Sequence, residues 1–274
     1  MEEEDGVSKL AAVTACTAMA LLYVAILYAP TLILRLPPPP SAKTFMIRRF
    51  VCAAVSSILS LLVSGLILSI RSSEASILFG VYGIRADHIV SIWQAVVFPL
   101  SLTSLMYAGS LVLKILLLVD SRRENANRGG EGISLQNFLA SIVSVASNVL
   151  AWRSYVVAPL TEELVFRACM IPLLLCGGFK PYTVIRLCPI FFSLAHLNHL
   201  MEFYSKKNYS WIKTSLAVGL QLGYTVIFGS YASFLLIRTG HLLAPLVAHA
   251  FCNFMGLPVL FSRRNGMPVI FPVN

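Results

Sequence analysis

Two adjacent carboxylates and a guanidinium, Glu162, Glu163 and Arg167, interrupt a run that is otherwise apolar from Val156 to Cys176. One charged side chain near a bilayer centre costs roughly 2.5–3.5 kcal/mol on insertion scales, so three ionisable groups in one such run need a strong reason, usually a site. On a helix, Glu163 and Arg167 are four residues apart on one face and can neutralise each other, whereas Glu162 points about 100° away. Glu162 has no partner within its own helix and must find one on another helix or in water. That is the situation of a general base, which has to reach the proton it removes.

Later segments carry polar groups at matching spacing. His196 follows Phe192 by four residues on an apolar helix, and His249 precedes Asn253 by four, so both project from one face of the last helix. Only three acidic residues follow Gly132, namely Glu162, Glu163 and Glu202, and four of the five histidines lie in the same part. Chemistry is therefore expected from residues after about 155. Glu162, His196, His249 and Asn253 sit on three separate helices, and each must turn toward the one interior of a bundle. His199 and His241 lie near helix ends and can reach interfacial water. Three rival readings use the same groups. Glu162, His196 and His249 form a His/His/carboxylate set that could bind zinc with an open position, although no H-E-x-x-H is present. Cys252, three residues from His249, could form a dyad with it, but a thiol in hydrocarbon makes a poor thiolate. The buried charges could instead serve a transporter or a non-enzymatic scaffold, yet residues 1–150 show no internal repeat and no second charged span.

The elements that position these groups must be membrane helices. Of 274 residues, 57% are hydrophobic and 12% charged, and the mean hydropathy is +0.79, far from the composition of a soluble domain. A span needs about 20 apolar residues, and seven to eight such runs fill the chain. The expectation is an all-α, multi-pass protein forming a single polytopic domain over 1–274, with N-terminal helices over 10–150 and chemistry-bearing helices over 151–261. The net charge of +9 comes from basic residues at the ends of apolar runs, which read as interfacial anchors and orientation signals and not as a nucleic-acid surface. Arg35–Arg49, with Pro37–Pro40, predicts a stiff cytosolic connector. Phe50–Ile70 and Ile92–Val119 are expected spans, the latter kinked at Pro99, and Asp120–Gly132 a solvated loop. Ile133–Trp152, laced with Asn137, Ser141, Ser144, Ser147 and Asn148, reads as a helix buried against protein. Gly177–Gly178 and Pro181 separate the charged helix from one over Tyr182–Leu200, followed by Thr214–Ile237 and His241–Phe261. Trp152, Arg153, Tyr155, Tyr209 and Trp211 fit an interfacial belt. The six cysteines show no C-x-x-C pair and read as packed, reduced thiols.

Glu162-Glu163-x-x-x-Arg167, Phe192-x-x-x-His196 and His249-x-x-x-Asn253, in this order, resemble the three motifs of the type II CAAX prenyl endopeptidases, within the wider CAAX protease and bacteriocin-processing superfamily. The resemblance covers roughly residues 150–256, and the lead-in Trp152-Arg153-x-x-x-x-Ala158-Pro159 is similar to the endoplasmic-reticulum branch. It implies an intramembrane endopeptidase that removes the last three residues of a farnesylated or geranylgeranylated Cys-a-a-X C-terminus, as on small GTPases. It also implies residence in the endoplasmic-reticulum membrane and a metal-free site without cofactor. By position, Glu162 and His196 would activate a water, His249 and Asn253 would hold the oxyanion, and Glu163, Arg167 and Phe192 would support them. The division suits the chemistry, since a carboxylate and an imidazole can accept a water proton and N–H donors suit an oxyanion.

Overall fold

The computed structural model describes residues 7–68, 79–85, 89–127, 143–197 and 211–256. Asp87, His88, Asn137, Ser141, His199, Glu202 and Tyr209 lie outside them.

Every described element is helical. Helix α1 (Lys9–Leu32) starts on Ser8, whose hydroxyl accepts the Ala11 N–H, and α2 (Ala42–Ile67) starts on Ser41, which accepts that of Thr44, each at 3.2 Å. Each cap satisfies one donor that the first turn leaves without a helical partner. The four prolines between them lie outside any helix, and Arg48 donates back to the Pro37 carbonyl at 2.8 Å. Lys43, Arg48 and Arg49, expected in the connector, are thus already helical.

Helix α2 is arranged for lipid. Ser56, Ser57, Ser60 and Ser64 are at most 4% exposed, whereas Val51, Ile58, Leu62 and Leu66 are all more than half exposed. Small side chains on the inner face allow close helix packing, and the aliphatic face lies outward. The serines of residues 143–148, in contrast, are exposed. Ile133–Trp152 is expected to be buried, yet its described part lies at the surface, and Asn148 caps the next helix by accepting the Leu150 N–H at 2.9 Å.

Helices α3 (Ile89–Met106) and α4 (Ala108–Asn127) replace the expected single span kinked at Pro99. They meet at an angle of 79°, and the break lies at Tyr107 rather than Pro99. The buried Tyr107 hydroxyl donates to the Gly256 carbonyl and pairs with that of Tyr224, both at 3.0 Å, which anchors the corner. Asp120–Asn127, expected in a loop, continues α4.

The charged run lies in one helical path from Val149 to Cys176. It comprises α5 (Val149–Trp152), a π-helical stretch Arg153–Val157, α6 (Ala158–Glu163), a second π-helical stretch Leu164–Cys169, and α7 (Met170–Cys176). Val165, Phe166, Ala168, Cys169, Met170, Leu173 and Leu174 are fully buried there, so this path is the centre of the bundle. Around it stand α1, α2, α8 (Pro181–His196), α9 (Trp211–Thr239) and α10 (Leu243–Met255).

Among the described residues three helices are long and apolar enough to cross a bilayer, Lys9–Leu32, Ala42–Ile67 and Val218–Thr239, or four if the bent α3–α4 pair is one span. This corrects the expected seven to eight. The α10 helix has 13 residues, about 20 Å at 1.5 Å per residue against a hydrocarbon thickness of about 30 Å. Apolar run length does not distinguish a helix facing lipid from a short one packed against protein.

Close approach of α9 to the charged helix depends on Gly229. A Cβ there would lie 2.9 Å from Pro189 Cβ and 3.2 Å from Arg167 Nη2. Gly229→Val is expected to separate α8 from α9 and lower the midpoint of thermal unfolding in detergent, as over-packing typically costs about 1–3 kcal/mol. An unchanged midpoint would show that the interface can shift to admit it.

Candidate active site

The chemistry-bearing groups gather where the charged path meets α8 and α10. Glu163 and Arg167, both fully buried, pair through Oε1 and Nη1 at 3.1 Å. The same Oε1 accepts a second hydrogen bond, 2.6 Å from His249 Nδ1 on α10. Glu163 therefore binds two helices together as well as neutralising Arg167. Among the described residues its other oxygen, Oε2, has no hydrogen-bond partner, and neither do Arg167 Nε and Nη2. The guanidinium is instead held over the Phe192 ring, 4.2 Å from its centre, and near that of Phe228 at 5.7 Å, where ring quadrupoles attract the cation.

His249 faces both carboxylates. With Nδ1 on Glu163, its Nε2 lies 3.8 Å from Glu162 Oε2, beyond a direct hydrogen bond but within ion-pair distance. Glu162 retains 17% side-chain exposure, whereas Glu163 has none. One residue step along the helix therefore separates a carboxylate sealed in the core from one that meets a cavity.

That cavity is lined by Glu162 and His196 together, with Thr161, Val157, Arg153, Tyr23, Leu27 and Arg49 among its other walls. His196 Nδ1 lies 2.8 Å from the Phe192 carbonyl. Since a carbonyl only accepts, Nδ1 carries a proton, which in the neutral ring leaves the lone pair on Nε2. Phe192 thus fixes His196 through its backbone and supports Arg167 through its ring, while packing edge-on against Phe166 at 5.1 Å.

Asn253, one turn beyond His249, is exposed and donates from Nδ2 to the Ser154 carbonyl at 2.7 Å. It thereby ties α10 to the first π-helical stretch, and its amide has a second N–H. Of the other candidates, His241 is buried rather than interfacial, in the turn before α10. Gly83 shapes that turn, with φ +72° and the Leu242 N–H donating to its carbonyl at 2.9 Å. Cys252 is buried beside the Tyr107 and Tyr224 hydroxyls. Among the described residues no three His, Cys, Asp or Glu side chains are grouped so as to hold a metal ion, and this includes Glu162, His196 and His249.

The sequence reading confined chemistry to the second half of the chain, yet α1 and α2 wall the cavity. Tyr23 reaches the Thr161 hydroxyl at 3.3 Å and packs edge-on against Phe166 at 5.4 Å, and Arg49 enters from α2. No local signal marks either residue, because a tyrosine in an apolar run and an arginine at a helix start are ordinary membrane features.

A profile of the family described as Type II CAAX prenyl endopeptidase Rce1-like matches residues 144–255, the stretch that carries the carboxylates and both histidines. The chain is 58% identical over 271 residues to "CAAX prenyl protease 2" of Arabidopsis thaliana, covering 96% of this chain and 85% of that protein. It is 34% identical over 250 residues to "CAAX prenyl protease 2" of Homo sapiens, covering 90% and 71%. No solved structure matches it. Likeness of this extent reaches well beyond the three motifs into α1 and α2, and the chain belongs to the type II CAAX prenyl endopeptidase family as a membrane-embedded hydrolase of peptide bonds.

Proposed function

We propose that the chain removes the a-a-X tripeptide from farnesylated or geranylgeranylated Cys-a-a-X proteins, small GTPases among them, in the endoplasmic-reticulum membrane, and that it does so without a metal. The observation that carries the mechanism is the shared cavity wall of Glu162 and His196. A water between them meets a carboxylate and the lone pair of an imidazole whose other nitrogen is committed to a backbone carbonyl. As the water attacks the scissile carbonyl, its proton passes to this pair and then to the leaving amine of the a-a-X product. The C–N bond breaks as that proton arrives, and the new carboxylate stays on the prenylated cysteine.

Charge that develops on the carbonyl oxygen needs donors in place beforehand. His249 supplies one from Nε2. For Nδ1 to donate to Glu163 at the same time, both ring nitrogens carry protons. Asn253 adds its second amide N–H, the first being held by Ser154. Glu163 and Arg167 orient His249, and Phe192 orients His196 through its carbonyl. A prenyl chain suits this setting because it partitions into the bilayer and brings the adjacent peptide bond to helices that lie there.

The test is incubation of purified protein in detergent with a farnesylated Cys-a-a-X peptide, with and without a strong chelator. Tripeptide release is expected at equal rates in both, and metal analysis of the active protein is expected to find no stoichiometric zinc. Loss of activity on chelation, restored by zinc, would transfer the same residues to a metalloprotease mechanism. Failure to release tripeptide in any lipid or detergent would remove the proposed activity.

A further inference from the structure

Helix α1 meets the cavity of Glu162 and His196 through Tyr23, Val24 and Leu27, and of these Tyr23 alone has a polar side-chain atom. Its ring is held by other rings. It packs edge-on against Phe166 at 5.4 Å, Phe166 packs edge-on against Phe192 at 5.1 Å, and the Phe192 ring lies 4.4 Å from that of His196. The Tyr23 hydroxyl is 3.3 Å from that of Thr161, the neighbour of Glu162 on α6 and a wall of the same cavity. The direction of this bond follows from how Thr161 uses its own proton. The Thr161 hydroxyl donates to the Val157 carbonyl, one turn back, at 2.9 Å. A threonine hydroxyl has one proton and two lone pairs, so toward Tyr23 it can only accept. Tyr23 is therefore the donor. Its proton is committed to the helix that carries Glu162, and its oxygen keeps acceptor capacity.

We infer that the Tyr23 oxygen is a third group on the attacking water, accepting the O–H that is not surrendered to Glu162 and His196. This rests on the proposed activity and deepens it. A water held only by the groups that take its proton can swing about that contact, so its lone pair faces the scissile carbon part of the time. A second acceptor, set in place by the series Tyr23 to Thr161 to Val157, fixes both O–H directions and aims the lone pair at the carbonyl. One water proton passes to Glu162 and His196 and on to the leaving amine, while the other stays on the incoming oxygen through the tetrahedral intermediate. Tyr23 neither gains nor loses a proton in this step. Thr161 acts as a positioning residue, because by accepting the phenol proton it keeps Tyr23 an acceptor toward the cavity. The first helix thus takes part in the reaction through a residue that also fastens it to the charged path.

A tyrosine that only fastened α1 would reveal itself in stability and not in turnover. Tyr23→Phe keeps the ring contacts and deletes the oxygen. With a farnesylated Cys-a-a-X peptide it is expected to lower kcat by about 10-fold, the scale of one hydrogen bond, with KM unchanged. Thr161→Val frees the phenol proton to point into the cavity, and a similar loss in kcat is expected. Thr161→Ser restores the accepting hydroxyl and should regain most of it. Because Thr161 acts through Tyr23, the double variant Tyr23→Phe/Thr161→Val should be no slower than Tyr23→Phe alone. Thermal unfolding in detergent, measured on the same preparations, reports the fastening role separately. Unchanged kcat in Tyr23→Phe would overturn the inference. So would an effect confined to KM, which marks a contact to the peptide, or factors that multiply in the double variant. If Tyr23→Phe does not fold, the Thr161 pair decides alone, since equal kcat in Thr161→Val and Thr161→Ser would also overturn it. Absence of cleavage by the wild type would instead count against the proposed activity itself.

Discussion

Glu162→Gln is expected to lower kcat on a prenylated Cys-a-a-X peptide by about 10²- to 10⁴-fold, the usual contribution of a positioned general base, with KM nearly unchanged. Glutamine keeps the volume and can accept a hydrogen bond at the cavity wall, so neither the fold nor substrate placement should suffer. Glu162 is partly exposed and makes no contact closer to His249 than 3.8 Å, so its loss leaves no buried charge without a partner. What disappears is the capacity to take a proton from water. His196→Gln should cost a comparable factor, since in the proposed mechanism its Nε2 lone pair serves the same water. If the two act as a unit, the double variant will be little slower than either single one, because groups that share one step are strongly non-additive. The measurement is single-turnover tripeptide release by purified variants of confirmed fold. Two independent factors that multiply would separate Glu162 and His196 into different steps, and near-wild-type kcat in Glu162→Gln would remove it from the chemistry.

The parts of the molecule that could be read from sequence are those in which a residue is costly where it stands. Glu162, Glu163 and Arg167 declare themselves because charge in an apolar run is expensive, and the four-residue step from Glu163 to Arg167 predicts the ion pair that forms at 3.1 Å. His249 is visible for the same reason. Its engagement with both carboxylates is not, because that depends on how α10 crosses the charged path. Tyr23 and Arg49 are cheap at their positions, and only tertiary contact gives them meaning. Span count fails on a related point. Hydrophobicity reports that a segment avoids water without saying whether lipid or protein covers it, so α8 and α10 look like spans and are in fact 16 and 13 residues long. Pro99 draws attention as a helix breaker, yet α3 runs through it, with the Thr103 hydroxyl donating to its carbonyl at 2.6 Å. The corner forms eight residues later at Tyr107, whose hydroxyl bonds reach residues 117 and 149 positions away.

Arg167→Met is expected to destabilise the protein by about 3–5 kcal/mol, because it breaks a fully buried pair and leaves Glu163 with His249 alone as a partner. The double variant Glu163→Gln/Arg167→Met should regain most of that stability, since replacing both partners of a buried pair with neutral groups of similar size is often close to neutral. Activity should not follow. Among the described residues both hydrogen bonds to Glu163 end on Oε1 and none reaches Oε2, so a glutamine can place its carbonyl at Oε1 and still accept from His249 Nδ1. The ring keeps its position, but a neutral amide attracts the doubly protonated imidazole less than a carboxylate does. His249 then stabilises the oxyanion more weakly, and kcat should stay about 10²-fold or more below wild type, the scale for loss of an oxyanion donor, with KM unchanged. Thermal unfolding in detergent and steady-state kinetics on the same preparations separate the two effects. Recovery of kcat together with stability in the double variant would make the Glu163–Arg167 pair a packing device alone. Recovered stability with persistently low kcat would give Glu163 two roles through a single oxygen, neutralising Arg167 along the helix and directing His249 across it.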